Sequence, residues 1–313
     1  MKWKRREFMK KLAGGALAAS CAPPAAVFPV AQWESKAPAD PYGCLVDLSV
    51  CIGCRKCEQG CALANELPTP SRSYDDVRVL DQKHRPDANT YTVINRYFSG
   101  LKYDKLNRLV PTYVKSQCMH CQDPACVSVC LSGALQKMGN GAVYYDKSRC
   151  VGCRYCMMAC PFQIPAYEYA DPLTPRVRKC TFCFELIRQG GKPACAAICP
   201  METMTFGKRN DLLVLAQKRI AENPRRYVDH IYGQHEVGGT SWMYISDVPF
   251  EKVDFVQLPS DPPPRLPETL QHTLFKYLWS PILFFFSLAG VTFLAKRTRS
   301  EEYAPKTVKE IPK

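Results

Sequence analysis

The chain has 313 residues, 46% of them hydrophobic and 23% charged, with a formal net charge of +13 and 18 cysteines. That composition excludes a disordered chain, and the length allows one or two domains. The positive charge does not read as a nucleic-acid footprint: residues 1–31 alone hold six Lys or Arg against one Glu.

At the start, Lys4-Arg5-Arg6-Glu7-Phe8-Met9-Lys10 carries the paired arginines, aromatic and lysine of a twin-arginine export signal. A mildly apolar small-residue stretch, Leu12 to Ala19, follows, and the whole of 1–31 is set apart from the fold. Lys4 stands where such signals usually have Ser or Thr. The route exports folded, loaded proteins, which suits a chain whose thiols must meet metal inside the cell. Cys21, behind Leu17-Ala18-Ala19-Ser20, fits a lipid-attachment site poorly.

Sixteen cysteines then fall into four quartets: Cys51-x2-Cys54-x2-Cys57-x3-Cys61, Cys118-x2-Cys121-x4-Cys126-x3-Cys130, Cys150-x2-Cys153-x2-Cys156-x3-Cys160 and Cys180-x2-Cys183-x11-Cys195-x3-Cys199. A cubane cluster takes three thiolates from one short loop and a fourth from farther along the chain, which is the C-x2-C-x2-C-x3-C arrangement. Structural zinc uses two separated pairs instead, and only the fourth quartet would pass for one. Thiols two residues apart make poor long-range crosslinks, so a disulfide framework is disfavoured even in an exported chain. A radical enzyme would need C-x3-C-x2-C, which is absent from the sequence.

In two-cluster bacterial ferredoxins the fourth cysteine of each run serves the other cluster, so quartets come in pairs. Nineteen residues separate Cys130 from Cys150, and the second and third quartets therefore read as one ferredoxin unit, inserted into another formed by the first and fourth. The expected ligand sets are Cys51, Cys54, Cys57 and Cys199 for cluster one; Cys118, Cys121, Cys126 and Cys160 for cluster two; Cys150, Cys153, Cys156 and Cys130 for cluster three; and Cys180, Cys183, Cys195 and Cys61 for cluster four. Four 4Fe-4S clusters are the implied cofactors.

Short strand-like runs lead into the quartets at Cys44–Leu48, Thr112–Lys115, Ala142–Tyr145 and Arg176–Arg178. Pro161 and Pro200 fix the exits from two loops, whereas Ala62 and Leu131 follow the other two. His120, between two ligands, reads as a neighbour of the cluster rather than a ligand. Arg55, Lys56, Arg149, Arg154, Arg178 and Lys179 read as cations that compensate cluster charge. The insert between Cys61 and Cys118 contains a strand pattern at Tyr91–Phe98 and reads as packing over the split unit or as a partner surface. Phe184–Arg188 and Asp211–Glu222 have helical patterns, and Trp242–Ser246 reads as a strand.

Near the other end, Tyr277 to Ala295 is an uncharged run about 28 Å long as a helix, close to a bilayer's hydrocarbon thickness. Pro262, Pro263, Pro264 and Pro267 precede it, and Lys296, Arg297 and Arg299 follow it, which puts the C-terminus on the cytoplasmic side. The expected fold is α+β: two bacterial-ferredoxin-like two-cluster units, one inserted in the other, with a single C-terminal transmembrane helix. Its boundaries are 1–31 for the signal, 41–110 for the first half of the split unit with the insert, 111–172 for the inserted unit, 173–210 for the second half, 211–258 for a C-terminal packing region, 259–272 for the linker, 273–296 for the span and 297–313 for the tail.

The residues resemble a known family, the four-cluster ferredoxin subunits of membrane-bound bacterial oxidoreductases, which includes electron-transfer subunits of formate dehydrogenase, dimethylsulfoxide reductase and polysulfide reductase. Within it the chain is most similar to HybA-type subunits of nickel-iron hydrogenase-2. Tyr113-Val114-Lys115-Ser116-Gln117-Cys118-Met119-His120-Cys121, Asp146-Lys147-Ser148-Arg149-Cys150-Val151-Gly152-Cys153-Arg154-Tyr155-Cys156 and Gly238-Gly239-Thr240 carry the likeness. The resemblance implies an electron relay without catalysis of its own, between hydrogenase small and large subunits and an integral membrane quinone-reacting subunit. It also implies an inner-membrane protein with its cluster domain in the periplasm and no nucleic-acid partner. A formate dehydrogenase or a molybdenum reductase of the polysulfide, tetrathionate or dimethylsulfoxide type is the alternative partner.

Overall fold

The computed structural model describes residues 40–171 and 176–264, with 285, 288–290 and 292 near the C-terminus. The expected export signal, Cys21, most of the apolar run Tyr277–Ala295 and the tail lie outside the described residues. Among the described residues no helix is long and apolar enough to cross a membrane. Helices and strands are mixed along the chain, as an α+β fold requires.

The first strand, β1 (Tyr42–Asp47), lies at the centre of the largest sheet. It runs antiparallel to β8 (Met204–Lys208), with Val46 opposite Met204, and parallel to β9 (Trp242–Ile245), with Cys44 opposite Trp242. β1 feeds the first quartet and β8 leaves the fourth, so this pairing joins the outer two cysteine loops although the inner two intervene in sequence. Successive strand residues face opposite sides of a sheet, and both sides are covered here. Leu45, Met243 and Ile245 pack under helix α6 (Arg209–Glu222), whose Leu212, Ala216 and Ile220 repeat every four residues along one face. Cys44, Val46, Trp242 and Tyr244 face the cysteine loops instead. Burying each large apolar side chain contributes about 1.5–3 kcal/mol.

The insert forms a hairpin of β2 (Thr92–Tyr97) and β3 (Thr112–Gln117), with Thr92 opposite Gln117. Helix α1 (Lys56–Ala64) packs against β2, and Glu58 on that helix accepts the Ile94 amide at 2.7 Å while pairing with buried Arg55 at 2.8 Å. Two small hairpins complete the sheets: β4 (Leu135–Lys137) with β5 (Val143–Tyr145), and β6 (Ala166–Tyr167) with β7 (Val177–Arg178). The expected entry runs to the four quartets are β1, β3, β5 and β7.

Short helices pair across the chain. α1 packs on α5 (Ala194–Ala197), and α2 (Ala125–Ser128) packs on α3 (Tyr155–Ala159). Gly60 permits the first contact, since a Cβ there would sit 2.8 Å from Ile198 and 3.2 Å from the Ala194 carbonyl. The stretch 211–258 does more than pack: β9 joins the central sheet, and the turn before it is hydrogen-bonded to the second cysteine loop. Gln122 donates its amide to Gly239 at 2.9 Å, and Ser241 donates to Met119 at 3.1 Å.

Candidate iron-sulfur centres

All four cysteine loops turn at the same place, the residue before the second cysteine. Gly53, His120, Gly152 and Phe182 have φ of 70°, 48°, 69° and 57°. Left-handed backbone costs glycine little and other residues about 1–2 kcal/mol, and His120 and Phe182 meet that cost by complete burial. Gly53 is required for a second reason, because a Cβ would meet the Tyr113 ring at 2.3 Å. After the turn the chain enters a helix in the first, third and fourth loops, at α1, α3 and α4 (Phe184–Arg188). Cys57 and Cys61 lie on α1, Cys126 on α2, Cys156 on α3 and Cys195 on α5.

The seventeen described cysteines are free thiols, buried or half-buried apart from exposed Cys153. Cys51, Cys54, Cys57 and Cys199 line a single cavity with Val46, Ile94 and Lys115. Burial pushes the Cys51 thiol up to about 11, and Cys199 and Cys54 add to the rise while the Gly53 amide opposes it. Burial, then Cys180, raises the Cys61 thiol, with further contributions from Cys195 and Cys183. Cys121 is raised by burial and then by Cys126, Cys118 and Cys160. Cys156 is pushed up to about 11 by burial and then by Cys130, Cys150 and Cys153. Influence also crosses between sets: after burial, Cys195 is the first thiol that raises Cys57, and Cys118 the first that raises Cys180.

Crowded, buried thiols do not ionise together without a cation, and iron supplies one. Backbone amides point at several of the sulfurs: Leu135 on Cys130 at 3.4 Å, Phe182 on Cys180 at 3.4 Å and Ala194 on Cys183 at 3.5 Å. Such bonds stabilise thiolate ligands and tune cluster potential. Among the described residues no three His, Cys, Asp or Glu side chains close on a point suited to one metal ion. The donor set fits 4Fe-4S clusters.

His120 is fully buried; its Nδ1 accepts the Val143 amide at 2.9 Å, and its Nε2 has no partner among the described residues. Burial and then the ammoniums of Lys179 and Lys137 hold its pKa well below the ordinary imidazole value. The cation reading needs correction. Arg55 is matched by Glu58, Lys56 by Asp75 at 3.0 Å, Arg149 by Asp146 at 3.3 Å and Arg178 by Glu168 at 3.0 Å. These long side chains find carboxylates and carry little uncompensated charge toward the clusters. Lys179 does stay in the interior, donating to the carbonyls of Val143 at 2.5 Å and Cys180 at 3.1 Å. Sequence reasoning missed two further buried lysines. Lys137 donates to the carbonyls of His120, Cys121 and Gly141 at 3.1, 2.7 and 2.6 Å, and burial lowers it to about 8. Lys115 lies in the cavity of the first set. A lysine among apolar strand residues was the only available signal.

Residues 109–209, which include the last three quartets, match the 4Fe-4S dicluster domain family. The hydrogenase-2 operon protein HybA of Escherichia coli O157:H7 is 33% identical over 327 aligned residues, covering 96% of this chain and 97% of that protein. The chain belongs to the iron-sulfur electron-transfer subunits of oxidoreductase complexes. The nitrate-inducible formate dehydrogenase iron-sulfur subunit of Escherichia coli K12 is 35% identical over 221 residues, 70% of this chain and 72% of that one. A protein of Nitratidesulfovibrio vulgaris is 46% identical over 247 residues, and that match spans 79% of this chain but 65% of the relative's length. As a member of this family the chain binds 4Fe-4S clusters, and its cysteines fall in ferredoxin-like motifs.

Proposed function

We propose that this subunit relays electrons through four 4Fe-4S clusters between a periplasm-facing nickel-iron hydrogenase and a membrane quinone-reacting subunit. The observation that carries the hydrogenase assignment is the end-to-end likeness to the hydrogenase-2 operon protein. The match to a formate dehydrogenase subunit supports a second reading, the same relay for a different catalytic partner, over a smaller share of the chain. Mass spectrometry of the proteins that co-purify decides: nickel-iron small and large subunits support the first reading, and a molybdenum subunit replaces it with the second.

The ligand sets of this reading are those expected from spacing, and the cavity shared by Cys51, Cys54, Cys57 and Cys199 supports the first of them. Their order along the relay follows from packing. Cys57 and Cys195 share one core cluster; Cys61, Cys118 and Cys180 share a second; Cys126 and Cys156 share a third. In this reading neighbouring centres are one and four, four and two, and two and three, a line with centres one and three at its ends, although Cys121 of the second set also packs against the first core cluster. Both ends approach solvent. Ile52 in the first loop is 52% exposed, and Leu131 and Met158 beside the third set are 82% and 85% exposed. The chain's own contribution is to hold each set of thiolates in place, shield it with apolar side chains and direct amide dipoles at the sulfurs, while the bound clusters supply the one-electron chemistry.

In this reading the subunit is exported folded by the twin-arginine route and anchored once in the inner membrane, with the C-terminus in the cytoplasm. The paired arginines at 5 and 6, the apolar run 277–295 and the cations behind it support that placement. Alkaline carbonate extraction tests it: retention in the membrane pellet supports an anchor, and release of the intact chain removes it.

A further inference from the structure

Lys115 lies at mid-strand in β3 and is 3% exposed. Its Nζ is 2.8 Å from Gln117 Oε1 and 4.3 Å from the centre of the Trp242 ring. Both partners are held in turn: Gln117 donates to the Tyr244 hydroxyl at 2.6 Å, and that hydroxyl donates to the Lys115 carbonyl at 3.0 Å. The amide and the aromatic face orient the ammonium but do not neutralise it. Among the described residues no carboxylate pairs with it. Its surroundings are cysteines: it lines the cavity of Cys51, Cys54, Cys57 and Cys199, and the Trp242 ring beneath its ammonium packs in one core cluster with Cys57 and with Cys195 of the fourth set. Burial works against the ammonium, and Cys195, Cys57, Tyr244 and Cys180 outweigh that, so the lysine stays charged above its ordinary range.

An unpaired buried ammonium costs several kcal/mol. A 4Fe-4S core of about +2 held by four thiolates carries about −2 overall, so clusters in sets one and four supply the missing counter-charge from two sides. One-electron reduction of either centre adds one negative charge, with no bond made or broken, the electron coming from the redox partner or a chemical titrant. A fixed cation near both stabilises the reduced form of each.

We propose that Lys115 is a shared potential-setting residue: a single buried cation, oriented by Gln117 and Trp242, that raises the midpoint potentials of centres one and four together. The proposal rests on the ligand sets given under the proposed function. Lys137, which donates to carbonyls of the second loop, stands in a comparable place beside centre two and serves as an internal comparison.

The test is a potentiometric titration, followed by electron paramagnetic resonance, of the anaerobically purified complex carrying the wild-type subunit, K115Q, K115R or K137Q. K115Q is expected to lower two of the four midpoint potentials, those of the centres that C51S and C180S perturb, and K115R to hold them near wild type. K137Q is expected to lower the centre that C118S perturbs and leave that pair in place. Unchanged potentials in K115Q, an equal shift of all four, or a shift of the pair perturbed by C118S and C150S would overturn the proposal. Iron loss from K115Q but not from K115R also supports it, because charge is then what the site requires; iron loss from both overturns it. A wild-type subunit with fewer than four clusters would instead overturn the ligand sets, which separates the two failures.

Discussion

The rings of His120 and Phe182 lie 4.9 Å apart at 35°, and the two residues hold the same position in their loops, immediately before the second cysteine of the second and fourth quartets. Both are left-handed and fully buried. A side chain that one loop needs for its turn thus also joins that loop to another ferredoxin unit. His120 adds a polar tie, since its Nδ1 satisfies the amide of Val143 at the start of β5. Replacing His120 with Leu leaves that amide buried and unpaired, so stability should fall by about 1–3 kcal/mol. Denaturant unfolding of the loaded protein under anaerobic conditions measures the loss.

Cross-ligation makes a specific forecast for serine variants. Cys199→Ser should alter the same resonance signal as Cys51→Ser, although Cys180 is nearer in sequence, and Cys61→Ser the same signal as Cys180→Ser. If Cys199→Ser and Cys180→Ser changed one and the same cluster, the pairing would be wrong.

Two glycines permit distinguishable tests. Gly53→Ala places a Cβ 2.3 Å from the Tyr113 ring at a φ of +70°, so the first loop must distort and iron per chain should drop by roughly one cluster's share. Gly100→Ala has a similar φ of +75° with nothing within 4 Å of the new carbon. It should cost only about 1–2 kcal/mol of backbone strain, with iron content unchanged.

Glu58 is 5% exposed and serves Arg55 and the Ile94 amide at once. Glu58→Gln removes the negative charge and leaves the guanidinium buried without its counter-ion, which should destabilise by about 3–5 kcal/mol. Glu185→Gln breaks a pair whose side chains are 65% and 63% exposed and should stay within about 1 kcal/mol. Paired melting curves give the comparison.

Iron removal should proceed from one end. Cys153 is exposed, unlike the other described cysteines, so a ferrous chelator under reducing conditions should extract the third centre first. Complete extraction should then abolish cooperative unfolding, because the clusters occupy the places where side chains would otherwise pack. Loss of another centre ahead of the third, followed by resonance, would contradict the exposure argument.

Spacing alone determined the cluster chemistry here. Three ligands of each expected set come from one quartet, so the quartets point to cubane sites before any fold exists, and β1, β3, β5 and β7 were legible because each apolar run ends at a cysteine loop. The tertiary structure decided what depends on distant residues meeting. That β9 would join β1 as a parallel neighbour left no mark on its own four residues, since a parallel strand buried on both faces reads only as apolar. Arg55 and Arg178 looked like free cations until the fold supplied Glu58 and Glu168. Lys115 looked like an ordinary strand lysine until Trp242 closed over it and the cysteines of two sets came into range. Three of each cluster's expected ligands come from one stretch of sequence, whereas the fourth ligand and the charge compensation are set by neighbours in space.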